Sequence, residues 1–221
     1  MTAAITSKIA LMATAIFLTA CASGPKAPSW QLESKGAMER AIAAYLEGNT
    51  RVEVAERARA RREISSTGRI DLIARAELLS CASRVASLVF EPCAGFENLR
   101  QDAPPAERAY ADYLAGKLSP QDINLLPKEQ QSGAQAAVLR VQTAIENIAD
   151  PLGKLVAAGT AFQAGLASPA LVQAAVDAAS GQGWRRPLLV WLGVQFKLAE
   201  ASGNAQEAAR VQRRIALTLK P

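Results

Sequence analysis

The chain has 221 residues, half of them hydrophobic, and it carries 25 basic against 20 acidic side chains, a formal net charge of +5. This excess is modest and interspersed with acids, so it does not favour nucleic acid as a partner. The sequence contains no histidine, which excludes Ser-His-Asp and Cys-His nucleophile systems and every zinc site that needs imidazole. No glycine-rich phosphate-binding motif occurs, and we expect neither a metal nor a cofactor.

The N-terminal stretch has the layout of a secretory signal. Lys8 precedes an apolar run at residues 9–18, and small residues follow it. A helix of ten residues extends about 15 Å, half of a hydrocarbon core about 30 Å thick, so the run is too short to span a bilayer. We therefore expect residues 1–20 to be a signal peptide that is removed from the mature protein.

The end of this segment, Leu18-Thr19-Ala20-Cys21, resembles the lipobox of bacterial lipoproteins. In that family the cysteine sulfur receives a diacylglycerol, the signal is cut before the cysteine, and the new amine is acylated. The resemblance implies that Cys21 carries the lipid, with palmitate among its acyl chains, and that residues 21–29 are the anchor and its tether. Two or three acyl chains make a durable membrane anchor. The alternative is an ordinary signal peptide with a chance cysteine.

The residues after the cysteine indicate the membrane to which a lipoprotein is sorted. In Gram-negative lipoproteins, an Asp after the modified cysteine often retains the protein at the inner membrane. Ala22 and Ser23 occupy those positions here. The resemblance therefore implies a lipoprotein anchored to the periplasmic face of the outer membrane.

Two further cysteines, Cys81 and Cys93, remain after the signal. In an exported chain an isolated pair most simply forms a disulfide, and the alternative is two buried free thiols. Cys81 lies in a helical pattern, whereas Cys93 lies in the turn-like stretch FEPCAGF that follows it. A disulfide between them would hold this loop against the preceding helix and stabilise the fold by about 3 kcal/mol.

Residues 30–221 are interpreted as one all-α domain, because helical apolar spacing dominates and strand signals are nearly absent. Capping residues and first-turn prolines mark several helix starts, among them Ser168-Pro169. The predicted helices span 30–47, 50–66, 69–89, 104–116, 119–149 (broken near Pro127), 151–166, 169–180, 185–202 and 204–219. We expect antiparallel helical hairpins, stacked as an array or packed as an irregular bundle.

One segment occurs twice in related form. Residues 39–49 (ERAIAAYLEGN) and 107–117 (ERAYADYLAGK) agree at seven of eleven positions, at an offset of 68. This offset is twice 34, the period of tetratricopeptide repeats, and residues 188–219 also resemble such a helix–turn–helix unit. The resemblance implies stacked helical hairpins. The alternative is that alanine-rich helices resemble each other by composition alone.

Charge is distributed unevenly along the chain. Residues 131–183 contain only five charged side chains. A helix that is apolar on most sides is either central in its bundle or covered by a partner.

The candidate partner-binding residues are Arg57, Arg61, Trp184 and Arg185. Arg57 and Arg61 lie in the arginine-rich helix 50–66, which could grip acidic groups or a peptide carboxylate. The alternative is a solvated face with i,i+4 ion pairs such as Glu53–Arg57. Trp184 and Arg185 open helix 185–202, where Trp184 would either anchor a partner or pack within the fold.

These observations favour a non-enzymatic protein that presents a helical surface to an envelope protein, as an assembly factor or adaptor. An alternative is a peptidoglycan-acting enzyme, or a regulator of one, that uses carboxylates only. Glu33-Ser34 resembles the Glu-Ser pair of lytic transglycosylases, but the downstream segments of that family are missing. A third alternative is a purely structural lipoprotein with no fixed partner.

Overall fold

The computed structural model describes residues 27–139 and 145–220, and these residues form helices and loops without a strand. The all-α prediction is therefore confirmed. The predicted signal peptide, Cys21 and most of the tether lie outside the described residues. None of the described helices combines the length and the apolar character needed to cross a membrane.

The described residues contain ten α-helices and one 3₁₀ helix. The α-helices are α1 (Ser29–Glu47), α2 (Thr50–Ser65), α3 (Ile70–Ala86), α4 (Ala94–Glu97), α5 (Pro105–Leu114), α6 (Lys128–Leu139), α7 (Pro151–Gln163), α8 (Pro169–Gly181), α9 (Arg185–Ala201) and α10 (Ala205–Leu219). The 3₁₀ helix, Pro120–Leu125, lies between α5 and α6. Eight of the nine predicted helices are confirmed, with ends displaced by three residues or fewer.

The break predicted near Pro127 is present, but the prediction of α-helix over the rest of 119–149 is wrong. A short 3₁₀ helix ends at Leu125, Leu126 is extended (φ −72°, ψ 157°), and α6 begins only after Pro127. A proline disfavours the helical conformation of the residue before it, which explains the extended Leu126. Residues 145–150 are not helical, and Asp150 is extended before Pro151 for the same reason.

The helices form a stack that closes on itself. α1 and α2 form a hairpin, and α3 packs against α1, α2, α4, α5 and α7. The chain then continues with α7 on α8, α8 on α9 and α9 on α10, while α9 also contacts α1. The first helix of the array, α1, is thereby joined to α9 near its other end.

The charge-poor helix α7 is central, as one of the two interpretations of its composition predicted. Its residues 155–161 are all buried. At Gly159 the helix passes so close to the end of α3 that a Cβ atom would overlap the carbonyl oxygen of Val85. Glycine at this position therefore permits the close packing of α7 on α3.

An aromatic cluster centred on the buried Trp191 connects α9 with α3 and the loop that follows it. Trp191 is fully buried, and its Nε1 donates a 3.0 Å hydrogen bond to the carbonyl oxygen of Ala86. Its ring lies edge-on to Phe162, at 5.9 Å between centroids, and Phe162 stacks on Phe90 at 6.3 Å. The loop after α3 is therefore held partly by aromatic contacts.

The two related segments 39–49 and 107–117 end their helices in the same way. Gly48 and Gly116 adopt left-handed conformations (φ 93° and 68°), and the N–H of each following residue bonds a carbonyl five residues earlier at 2.7 Å. Tyr45 and Tyr113 occupy equivalent buried positions. The chain continues differently, into α2 after the first segment and towards the 3₁₀ helix after the second.

Candidate partner-binding cleft

A cleft of about 560 Å³ lies between α2 and α3 on one side and α4 and α5 on the other. Its lining also includes the loop after α3 and Gln163 at the end of α7. This volume is within the range of typical ligand sites. Four basic and four acidic side chains line it: Arg57, Arg84, Arg100, Lys117, Glu77, Glu91, Glu97 and Asp112.

The α2–α3 side of the cleft is built around two acidic side chains. Glu53 is 3% exposed, and its Oε1 lies 3.1 Å from Arg84 and 3.6 Å from Arg57. Glu77 binds Arg57 at 3.3 Å and also pairs with Arg61. A buried carboxylate needs such partners to offset its lost hydration. The result is a continuous chain of ion pairs along α2 and α3.

This arrangement bears on both interpretations of the arginine-rich helix. Arg57 and Arg61 lie together, as α2 requires, but acids of α2 and α3 occupy their guanidinium groups. The predicted Glu53–Arg57 pair is present. Arg57 lines the cleft, while Arg61 lies next to it with its side chain 54% exposed. A bare cationic surface is therefore not formed by these two residues.

The α4–α5 side of the cleft is centred on Arg100. Its guanidinium binds Glu97 in a bidentate manner, at 2.7 and 2.9 Å, and reaches Asp112 at 3.0 Å. The hydrogen bond from Arg100 lowers the pKa of Glu97. A glycosidase general acid needs the opposite, a raised pKa. This carboxylate is therefore suited to an ion pair rather than to proton donation.

The Cys81–Cys93 disulfide lines the cleft and confirms the predicted pairing. Its Cα atoms are 5.9 Å apart, and it connects the middle of α3 to the residue that precedes α4. Two residues later, a Cβ atom at Gly95 would overlap the carboxylate of Glu77. The disulfide and this close approach together fix the loop against α3.

Two charged side chains of the lining differ from the rest. Within the part of the chain that the structure describes, Lys117 and Glu91 form no ion pair within 4 Å, and both are exposed. Phe90, next to Glu91, is 38% exposed while its ring stacks on Phe162. Of the eight charged residues of the lining, Lys117 and Glu91 are thus the two that form no ion pair in the described part of the chain, and Phe90 is an exposed aromatic residue beside them.

Trp184 and Arg185 do not line the cleft. Trp184 is half-buried and packs on the main core, in agreement with the packing alternative. Arg185 is exposed near the turn at Gly48. Its neighbour Arg186, which the sequence did not single out, instead donates to the carbonyl oxygen of Tyr45 at 2.7 Å.

Sequence reasoning also missed Arg84, Arg100, Phe90 and Lys117. These side chains come from separate elements, and only the tertiary fold brings them to one cleft. The nearest signal was the cysteine pair, which predicted that the loop after α3 lies against α3. Glu33, the residue of the transglycosylase-like pair, lies outside the cleft, exposed and 2.5 Å from Arg59.

Over residues 27–139 and 145–220, no cluster of three His, Cys, Asp or Glu side chains could hold a metal ion. Comparisons with family models, curated proteins and solved structures find no match to this chain.

Proposed function

We propose that this protein is a lipid-anchored adaptor of the bacterial cell envelope. Cys21 holds it to the periplasmic face of the outer membrane, and its helical domain binds a partner protein through the cleft between α2–α3 and α4–α5. The observation that carries this proposal is the Cys81–Cys93 disulfide. Disulfides persist in oxidising compartments, so the pair supports the export that the signal-like N-terminus indicates.

The anchor and the domain have complementary physical roles. Confinement to a thin layer beside the bilayer raises the effective concentration of the cleft for partners in that layer. The cleft is preformed by packed helices, ion pairs and a disulfide, so little conformational entropy is lost when a partner binds. Most carboxylates of the cleft form ion pairs with arginines, and the pKa of Glu97 is lowered, which favours recognition over catalysis.

The proposed lipidation and localisation are tested by feeding cells radioactive palmitate and separating their membranes. We expect label on the wild-type chain in the outer-membrane fraction, and no label on Cys21→Ala. The variant Ala22→Asp is the matched control for sorting, since it keeps the acceptor cysteine and should move the labelled protein to the inner membrane. An unlabelled, full-length chain in the cytosol would contradict the proposal.

The adaptor role is tested by placing a photo-crosslinking amino acid at Ala115, an exposed residue of the cleft lining. The control position is Arg213, which is exposed on α10 and lies outside the cleft. We expect a discrete adduct with one envelope protein from position 115 only, and its loss in Cys21→Ala. If position 115 gives no adduct, or both positions give the same adducts, the cleft does not hold a partner.

A further inference from the structure

The chemistry of the cleft narrows what it can bind. Its four basic and four acidic lining residues balance each other, so the cleft has no net charge with which to attract a polyanion. Most of these charges are already satisfied within the protein. Arg57 pairs with Glu53 and Glu77, and Arg84 pairs with Glu53. Arg100 pairs with Glu97 and Asp112. A ligand would have to replace existing ion pairs to use them.

Among the charged residues that line the cleft, Lys117 and Glu91 are the two that form no ion pair within the described residues. Lys117 follows α5 and Glu91 lies in the loop after α3, so they belong to different elements of the same cleft. Each can receive a group of opposite charge without breaking an internal pair. Charges placed in this way contribute mainly to specificity and orientation.

Phe90 is the aromatic residue of the cleft lining. The residue is 38% exposed, and its ring is oriented by the stack on Phe162. The neighbouring lining includes Pro92 and the Cys81–Cys93 disulfide, which keep this part of the loop in place. A rigid, partly exposed aromatic ring is a typical anchor for an apolar side chain of a binding partner.

We propose that the cleft binds an extended peptide segment of the partner that carries an apolar, an acidic and a basic side chain. The apolar side chain packs on Phe90, the acidic residue pairs with Lys117, and the basic residue pairs with Glu91. This inference rests on the adaptor role and names the chemistry of the partner's segment.

The experiment is a selection of random nine-residue displayed peptides on the full chain, purified in detergent from whichever cell fraction contains it. We expect a consensus with an acidic, an apolar and a basic position. A fluorescently labelled consensus peptide then gives Kd by polarisation. Lys117→Glu and Glu91→Lys should each weaken binding at least tenfold, as should Phe90→Ala. Arg213→Glu, an exposed charge reversal on α10, is the matched control and should leave Kd unchanged.

Exchanging both charges tests orientation directly. The double variant Lys117→Glu/Glu91→Lys should prefer the peptide whose acidic and basic residues are interchanged. Because both side chains are exposed and unpaired within the described residues, these variants should keep the wild-type circular dichroism spectrum and melting temperature. Folded variants therefore report on binding alone.

Three results would overturn the inference. They are the absence of any consensus, a consensus of acidic residues alone, and a consensus whose Kd the charge reversals leave unchanged. The peptide assay needs no bilayer, so its outcome does not depend on where the protein is located in the cell. A peptide consensus combined with a cytosolic, unlabelled chain would contradict the proposed function and leave the cleft assignment intact.

Discussion

The guanidinium of Arg186 lies 4.2 Å from the ring centroid of Tyr45, and its Nε donates a 2.7 Å hydrogen bond to the carbonyl oxygen of the same residue. The two residues are 141 positions apart in the sequence. A second guanidinium, that of Arg84, lies 5.0 Å from the same centroid. Burial raises the pKa of the Tyr45 hydroxyl, and the two cations act in the opposite direction. This contact joins α9 to α1 and closes the helical stack.

Replacement of Arg186 by Ala should therefore lower the free energy of unfolding by about 2 kcal/mol, because it removes a charged hydrogen bond and a cation–π contact. Arg185→Ala, one residue away, should change it by less than about 0.5 kcal/mol, since that side chain is exposed. Urea denaturation followed by circular dichroism gives both values. Equal effects of the two substitutions would show that the Arg186–Tyr45 contact does not stabilise the fold.

Reduction of the Cys81–Cys93 disulfide should lower the free energy of unfolding by about 3 kcal/mol, because the unfolded chain regains the entropy of a loop with a sequence separation of 12 residues. The measurement is urea denaturation with and without a phosphine reductant. Cys81→Ser/Cys93→Ser is the control, in which the reductant should have no effect. A wild-type chain that is equally stable with and without reductant would contradict the predicted contribution.

Two glycine-to-alanine substitutions should change the stability of the fold in opposite directions. Gly159→Ala places a methyl group against the carbonyl oxygen of Val85 and should destabilise the fold by about 1–3 kcal/mol through overpacking. Gly193 is also helical but has no atom near the position of an added Cβ. Gly193→Ala should therefore stabilise the fold by about 0.5–1 kcal/mol, since alanine favours the helix. Thermal melts of both variants test the pair, and a stabilising Gly159→Ala would show that α3 and α7 can separate at no cost.

The sequence predicted most of the fold because its helix signals are local. Caps such as Ser168, whose hydroxyl accepts from the Leu171 N–H at 3.2 Å, act within one turn. The Glu53–Arg57 pair was predictable for the same reason, since i,i+4 residues are neighbours on any helix. The break at Pro127 was predictable, because a proline restricts its preceding residue. The prediction failed on either side of it, where Pro120–Leu125 form a 3₁₀ helix and residues 145–150 are not helical.

The cleft could be predicted only in part, because its geometry depends on contacts between distant residues. Arg84 reaches Glu53 across 31 positions, and no spacing rule connects them. The disulfide was the exception, because the sequence has only two cysteines after the signal-like segment and they have few choices of partner. Arg186 rather than Arg185 contacts Tyr45, and a difference of one position on a helix follows only from the packing of α9 on α1.

A buried polar network connects α5, α6 and α7. The Tyr113 hydroxyl donates to Gln130 Oε1 at 2.9 Å and accepts from Thr160 Oγ1 at 3.0 Å, while Gln130 Nε2 donates to the Gly153 carbonyl at 2.9 Å. Burial raises the pKa of Tyr113 from 10.0 to about 12. The native state therefore retains this proton at pH values where the unfolded chain has released it.

The stabilisation linked to Tyr113 should be complete below pH 10 and should decrease as the pH rises from 10 to about 12. Tyr113→Phe should cost about 1–3 kcal/mol at neutral pH, because Gln130 loses a partner in a buried site. The same variant should lose less additional stability than the wild type between pH 10 and 12, because no hydroxyl is left to ionise. Urea denaturation at several pH values measures both slopes. Burial also raises the pKa of Tyr110, so Tyr113→Phe should reduce the alkaline decrease without abolishing it. Parallel curves for the two proteins would show that Tyr113 does not titrate as its burial requires.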